Sequence, residues 1–86
     1  MKVFVLSMPA KMPLHARPAA ELVRLARLYE SEVVLSFNGE AVNGKSLMGV
    51  LSLGVTGGSK ITFTVLGKDE AHAAEALKAL FLTFKD

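Results

Sequence analysis

The chain has no cysteine and no tryptophan, and its 86 residues include only three prolines and six aromatic side chains. The missing cysteine excludes a disulfide scaffold, a thiol nucleophile and a Cys-ligated metal or iron–sulfur site. Charge of one sign is also scarce: ten Lys and Arg oppose eight Asp and Glu, a net of +2. That is too small to announce a nucleic-acid partner. The apolar run at the N-terminus, Val3 to Leu6, is cut by Ser7 and Pro9. It is too short for a signal-peptide core or a membrane span. These absences predict a soluble, cytoplasmic protein with no membrane or nucleic-acid partner. The length excludes an α/β barrel, a full dinucleotide-binding fold and a kinase, and predicts one domain over residues 1–86. With 51% apolar and 21% charged residues, the chain is too hydrophobic to be disordered. Eleven of the apolar residues are Ala, which predicts a thin, closely packed core.

Lys2 to Met8 reads as a strand ending at Pro9, and Pro9 and Pro13 keep the next stretch irregular. A helix follows from His15 or Ala16, with Pro18 in its first turn, where no N–H is needed. At 100° per residue, Ala16, Ala19, Leu22, Val23, Leu25 and Ala26 share one arc; Arg17, Glu21, Arg24 and Arg27 share the other. Arg17 and Glu21 form an (i, i+4) pair. Glu32 to Phe37 is a strand, Asn38-Gly39 a type I′ hairpin turn, and Glu40 to Val42 the return strand. Ser46 is a good N-cap for a short helix ending at Gly54. Lys60 to Leu66 alternates as a strand with one buried face, and Phe4, Phe37 and Phe63 fall on positions suited to the core. Asp69 is placed to cap a last helix with the stripe Ala73, Ala74, Leu77, Leu80, Phe81 and Phe84, and Lys78 and Lys85 complement its C-terminal end. The order is β-α-β-β-α-β-α. It predicts an α+β, two-layer sandwich with a mainly antiparallel sheet and its helices on one face.

The two histidines differ in context. His72 lies on the polar arc of the last helix, where a solvated side chain is expected. His15 stands at a helix start with Arg17 two residues on. Free N–H groups and the positive dipole end attract phosphate there, and the same end suits a neutral, nucleophilic imidazole. Arg17 adds a planar fork matched to phosphate oxygens. Nucleophile, anion-binding helix end and guanidinium together describe a phosphoryl acceptor. Ser46 begins a second helix, where an added phosphate would meet a positive end. Leu47, Met48 and Leu51 lie on a helix too short to bury all of them; they are read either as core or as an exposed patch with an adaptable Met for partner docking.

Leu14-His15-Ala16-Arg17-Pro18-Ala19 resembles the active-site signature of the HPr family, the phosphocarriers of the sugar phosphotransferase system. Lys45 to Gly54 resembles that family's regulatory serine segment, and Gly67-Lys68-Asp69-Glu70 also matches. The likeness runs along essentially the whole chain, with Pro13 standing where the family commonly has Gly. It implies an open-faced β-sandwich, a four-stranded antiparallel sheet in the order 1-4-2-3 with three helices on one face. It implies that His15 takes a phosphoryl group on Nδ1 from enzyme I, fed by phosphoenolpyruvate, and passes it to EIIA components of sugar permeases. Arg17 would contact the group and Pro18 fix the helix start. Ser46 would be the target of an HPr kinase/phosphorylase. Arg17, Arg24 and Arg27, with Leu47, Met48 and Leu51, would form one face that meets the partners. The resemblance implies a monomeric, stoichiometric carrier, not a turnover enzyme, with no metal or cofactor of its own. A regulatory or nitrogen-branch relay protein of the same family is the alternative. An RNA-binding module is disfavoured because the strand aromatics offer no stacking platform. An acylphosphatase-like hydrolase lacks a candidate to position water.

Overall fold

Period-two alternation decides the sheet. In β4 (Lys60–Leu66) the side chains of Ile61, Phe63 and Val65 are fully buried, while Thr62 and Thr64 face the other way, half-buried. β2 (Glu32–Phe37) repeats the pattern with Val33 and Leu35 inside. These strands pair antiparallel at the centre of a four-stranded sheet, with β1 (Lys2–Ser7) on the outer side of β4 and β3 (Glu40–Asn43) on the outer side of β2. The order is therefore β1-β4-β2-β3. Helices α1 (Ala16–Ala26), α2 (Leu47–Ser52) and α3 (Glu70–Thr83) complete the β-α-β-β-α-β-α sequence. The computed structural model describes residues 1–85.

The turn between β2 and β3 is the left-handed pair expected of Asn-Gly, with φ of 50° at Asn38 and 80° at Gly39. One face of the sheet meets the helices. Phe63 is central: Phe4 stacks on it at 5.4 Å and Phe81 of α3 meets it edge-on at 5.4 Å. Each such ring pair contributes about 0.5–1.5 kcal/mol beyond area burial. Ala19 and Ala26 of α1 and Ala73 and Ala74 of α3 are buried, so the helices lie close to their neighbours, as the alanine content predicts. The opposite sheet face is open, exposing Val3, Val5 and Leu66. The result is the open-faced two-layer sandwich.

Local expectations fail where a distant partner intervenes. Ala16 is exposed and Leu25 only half-buried, because α1 tucks Pro18, Ala19, Leu22, Val23 and Ala26 inward instead. Arg17 and Glu21 make no ion pair among the described residues. Phe4 and Phe37 flank the core half-buried, since β1 is an edge strand and Phe37 ends β2 at the hairpin turn, beyond its pairing with β4. Phe84 lies one residue past α3, and α3 has no basic residue in its last turn. Lys78 instead sits over the Phe4 ring at 5.0 Å and pairs with Glu75 at 3.5 Å.

Asp69 does not cap its own helix. Its carboxylate accepts bonds from Glu30 N–H at 2.9 Å, Ser31 N–H at 3.0 Å and the Ser31 hydroxyl at 2.5 Å, tying the α1–β2 connection to the start of α3. These bonds, the Ser31 hydroxyl first, hold the Asp69 carboxyl below the usual carboxylate range. Glu70 reaches back to Gly67 N–H at 3.2 Å and pairs with the N-terminal ammonium at 2.6 Å, and the ammonium chiefly lowers its own carboxyl.

Candidate functional site

His15 is held by its neighbours in the chain. Leu14 before it is buried and donates its N–H to Val55 O at 3.0 Å. Pro18 after it is fully buried. Upstream, Met8 is buried and bonded to Ser59 O at 2.9 Å, and Gly58 N–H donates to Pro9 O at 2.8 Å. The loop before His15 thus rests on the 55–59 loop. Gly57 comes so close to the Ala10 carbonyl that a β-carbon there would overlap it. Between these anchors His15 is exposed.

His15 is the N-cap of α1, with extended backbone (φ −85°, ψ −168°), and its side chain makes no capping bond. Its carbonyl accepts from Ala19 N–H at 3.0 Å. The N–H groups of Ala16 and Arg17 have no intrahelical acceptor, and Pro18 has no N–H to satisfy. His15, Arg17 and Glu21 line one cavity of about 340 Å³, together with Thr83 and Lys85 from the end of α3. Arg17 makes no ion pair among the described residues. The arrangement presents an imidazole and a guanidinium to one solvent-open space at a helix start whose first N–H groups have no intrahelical acceptor. It suits a small dianion.

Ser46 is the N-cap of α2. Its hydroxyl accepts from Gly49 N–H at 3.1 Å. The preceding residue is bolted to the turn that follows α1: Lys45 Nζ donates to Tyr29 O at 2.6 Å, and Arg27 Nε donates to Lys45 O at 2.9 Å. Arg24, Arg27 and Leu47 line a second cavity of about 380 Å³ with Ala20, Val23 and Leu28. Met48 is among the most exposed apolar side chains, and Leu51 packs half-buried against the core. The structure therefore brings Arg24, Arg27 and Leu47 together, and places Arg17 in the His15 cavity instead. Sequence reasoning missed Leu28, which is 75% exposed beside Arg24. It missed the approach of Lys85 to His15 as well. His72 is exposed on α3.

Among the described residues no group of three or more His, Asp or Glu is placed to hold a metal ion, and no helix is long and apolar enough to cross a membrane.

Known proteins share this fold. The PTS-HPr family, described as the PTS HPr component phosphorylation site, matches residues 5–82. The structure is similar to HPr-C-His from Thermoanaerobacter tengcongensis, with a TM-score of 0.91, 37% identity, and 96% of this chain and 93% of that one covered. It is similar to the phosphocarrier HPr of Bacillus anthracis, with a TM-score of 0.86, 38% identity, and 93% and 95% covered. Crh, a catabolite repression protein of Bacillus subtilis solved as a dimer with a swapping domain, gives a TM-score of 0.75 at 43% identity over 84% and 83% of the two chains. Fold, strand order and family match agree: the chain belongs to the HPr family of phosphotransferase-system phosphocarriers.

Proposed function

We propose that the chain is a single-domain, monomeric phosphocarrier of the cytoplasm that accepts a phosphoryl group from enzyme I on His15 and delivers it to EIIA components. The observation that carries this reading is the exposed, uncapped His15 at the open start of α1, sharing a cavity with Arg17. The lone pair of His15 Nδ1 attacks phosphorus as the bond to the donor breaks, and the donor keeps that electron pair. Arg17 and the N–H groups of Ala16 and Arg17 stabilise the non-bridging oxygens. Delivery to EIIA runs the same step outward. Pro18 fixes the turn that aims the ring. Arg24, Arg27 and Leu47, with Met48 and Leu51 alongside, form the face that meets acidic, partly apolar partners. Phosphorylation of Ser46 by an HPr kinase/phosphorylase would place about −1.5 to −2 charge beside that face and weaken docking.

The likeness to Crh supports a second, regulatory reading centred on Ser46. The presence of His15 in an open site favours the carrier. Incubation with enzyme I and phosphoenolpyruvate separates the two: a carrier takes up one acid-labile phosphoryl group per chain. Absence of uptake would overturn the carrier reading.

A further inference from the structure

The wall of the His15 cavity carries two charges beyond Arg17: Glu21 on the first helix and Lys85 just past the last one. The approach of Lys85 is built in. The chain leaves α3 at Phe84, whose backbone turns extended (φ −75°, ψ 128°). Its ring is buried and meets Phe81 at 4.9 Å. Its N–H still bonds to Phe81 O at 3.2 Å. A buried ring and a backbone bond thus fix the residue from which Lys85 emerges, at the rim of the space that His15 faces. Lys85 is exposed and makes no ion pair among the described residues.

Building on the carrier reading, we propose that Lys85 is a second cationic contact for the phosphoryl group on His15. Glu21 opposes it, and the balance of the two sets how far the exchange with the donor lies toward the phosphorylated carrier.

A phosphoryl group brings close to two negative charges into this cavity. Arg17 supplies a planar fork with fixed directions. A lysine is a compact charge on a flexible four-carbon stem, able to follow the oxygens as phosphorus moves between donor and Nδ1. The Glu21 carboxylate repels the same oxygens. In the transfer, the donor–phosphorus bond breaks, its electron pair returns to the donor, and the phosphorus–Nδ1 bond forms. Lys85 and Glu21 make and break no bond in that step. They act on the charge of the group that arrives, so they shift its equilibrium. The cavity is open to solvent, so the effect is modest and weakened by salt.

The test measures the phosphorylated fraction of the protein at equilibrium with enzyme I at fixed phosphoenolpyruvate and pyruvate, at low and high salt. Lys85→Gln should lower the equilibrium constant roughly two- to fivefold at low salt. Lys85→Arg should restore it, Glu21→Gln should raise it, and the differences should shrink at high salt. A purely structural role for these residues would not produce opposite signs with unchanged melting temperatures. A native protein that takes up label while Lys85→Gln matches it at low salt overturns this inference alone. So does failure of Lys85→Arg to restore the native value. A native protein that takes up no label overturns the carrier reading and this inference with it.

Discussion

His15 and Ser46 occupy the same position, the N-cap of a helix with extended backbone before it, and they use it in opposite ways. At α2 the Ser46 hydroxyl turns inward and takes the Gly49 N–H, so the helix start is satisfied from within. At α1 the imidazole makes no capping bond, and the N–H groups of Ala16 and Arg17 are left without an intrahelical acceptor. Stability at α1 comes instead from buried Leu14 and Pro18 on either side. A closed cap contributes to folding, whereas an open cap contributes little and leaves its N–H groups without a partner from the side chain. The start of α3 extends the contrast. There the N-cap carboxylate of Asp69 is spent on residues 30 and 31, and Glu70 serves the turn.

The largest effect that sharpens this contrast is loss of the ring. His15→Ala should abolish label transfer from phosphoenolpyruvate through enzyme I and leave the melting temperature nearly unchanged, because the side chain is exposed and caps nothing. His72→Ala should transfer normally. Transfer that survives His15→Ala would break the comparison at once.

Next comes the closed cap. Ser46→Ala should cost about 0.5–2 kcal/mol of stability, the usual value of a lost N-cap, while transfer continues. Ser46→Asp should keep or raise the melting temperature and slow acceptance from enzyme I, since its charge meets the helix start but lies beside the proposed docking face. Chemical denaturation and transfer rates on the same preparations check both. If His15→Ala destabilised the fold as much as Ser46→Ala, the distinction between open and closed caps would fall.

Charge reversal at Arg24 should slow association with enzyme I severalfold at low salt and much less at high salt, measured by stopped flow. An unchanged on-rate would remove Arg24 from the docking face.

The smallest expected effect concerns the third helix start. The carboxyls of Asp69 and Glu70 lie below their ordinary values in the folded state. Their contribution to stability is therefore complete above the ordinary carboxylate range of about 4, and is lost as pH falls through the lower folded values. Ser31→Ala removes the foremost bond to Asp69 and should flatten that acid-side loss, as read by denaturation midpoints across pH 2–6.

Much of this was visible along the chain. The alternation of Lys60 to Leu66, the Asn38-Gly39 turn and the Ser46 cap are encoded by residues within a few positions of one another, and each formed as expected. His15, Arg17 and Pro18 fall within one helical turn, so their meeting was readable too. Features that join distant segments were not. The partners of Asp69 lie 38 and 39 residues upstream, and its position at a helix start makes a local cap the natural expectation. Leu28 falls just past α1, which stops at Ala26, and the following turn leaves it outside. Lys85 reaches the His15 cavity only because Phe84 is buried at the end of α3, a consequence of packing that no spacing in the sequence reveals.

The central claim is that the open helix start at His15 receives the phosphoryl group. Its most direct test is nuclear magnetic resonance of the native protein, labelled with nitrogen-15 and phosphorylated by enzyme I and phosphoenolpyruvate. Long-range proton–nitrogen spectra of the two imidazoles, with a phosphorus spectrum, locate the new bond. The phosphorylated protein should give one phosphorus signal, a change at Nδ1 of His15, and an unaltered His72 ring. A phosphorus–nitrogen bond on His72, or a phosphorus signal with both rings unchanged, would contradict the claim.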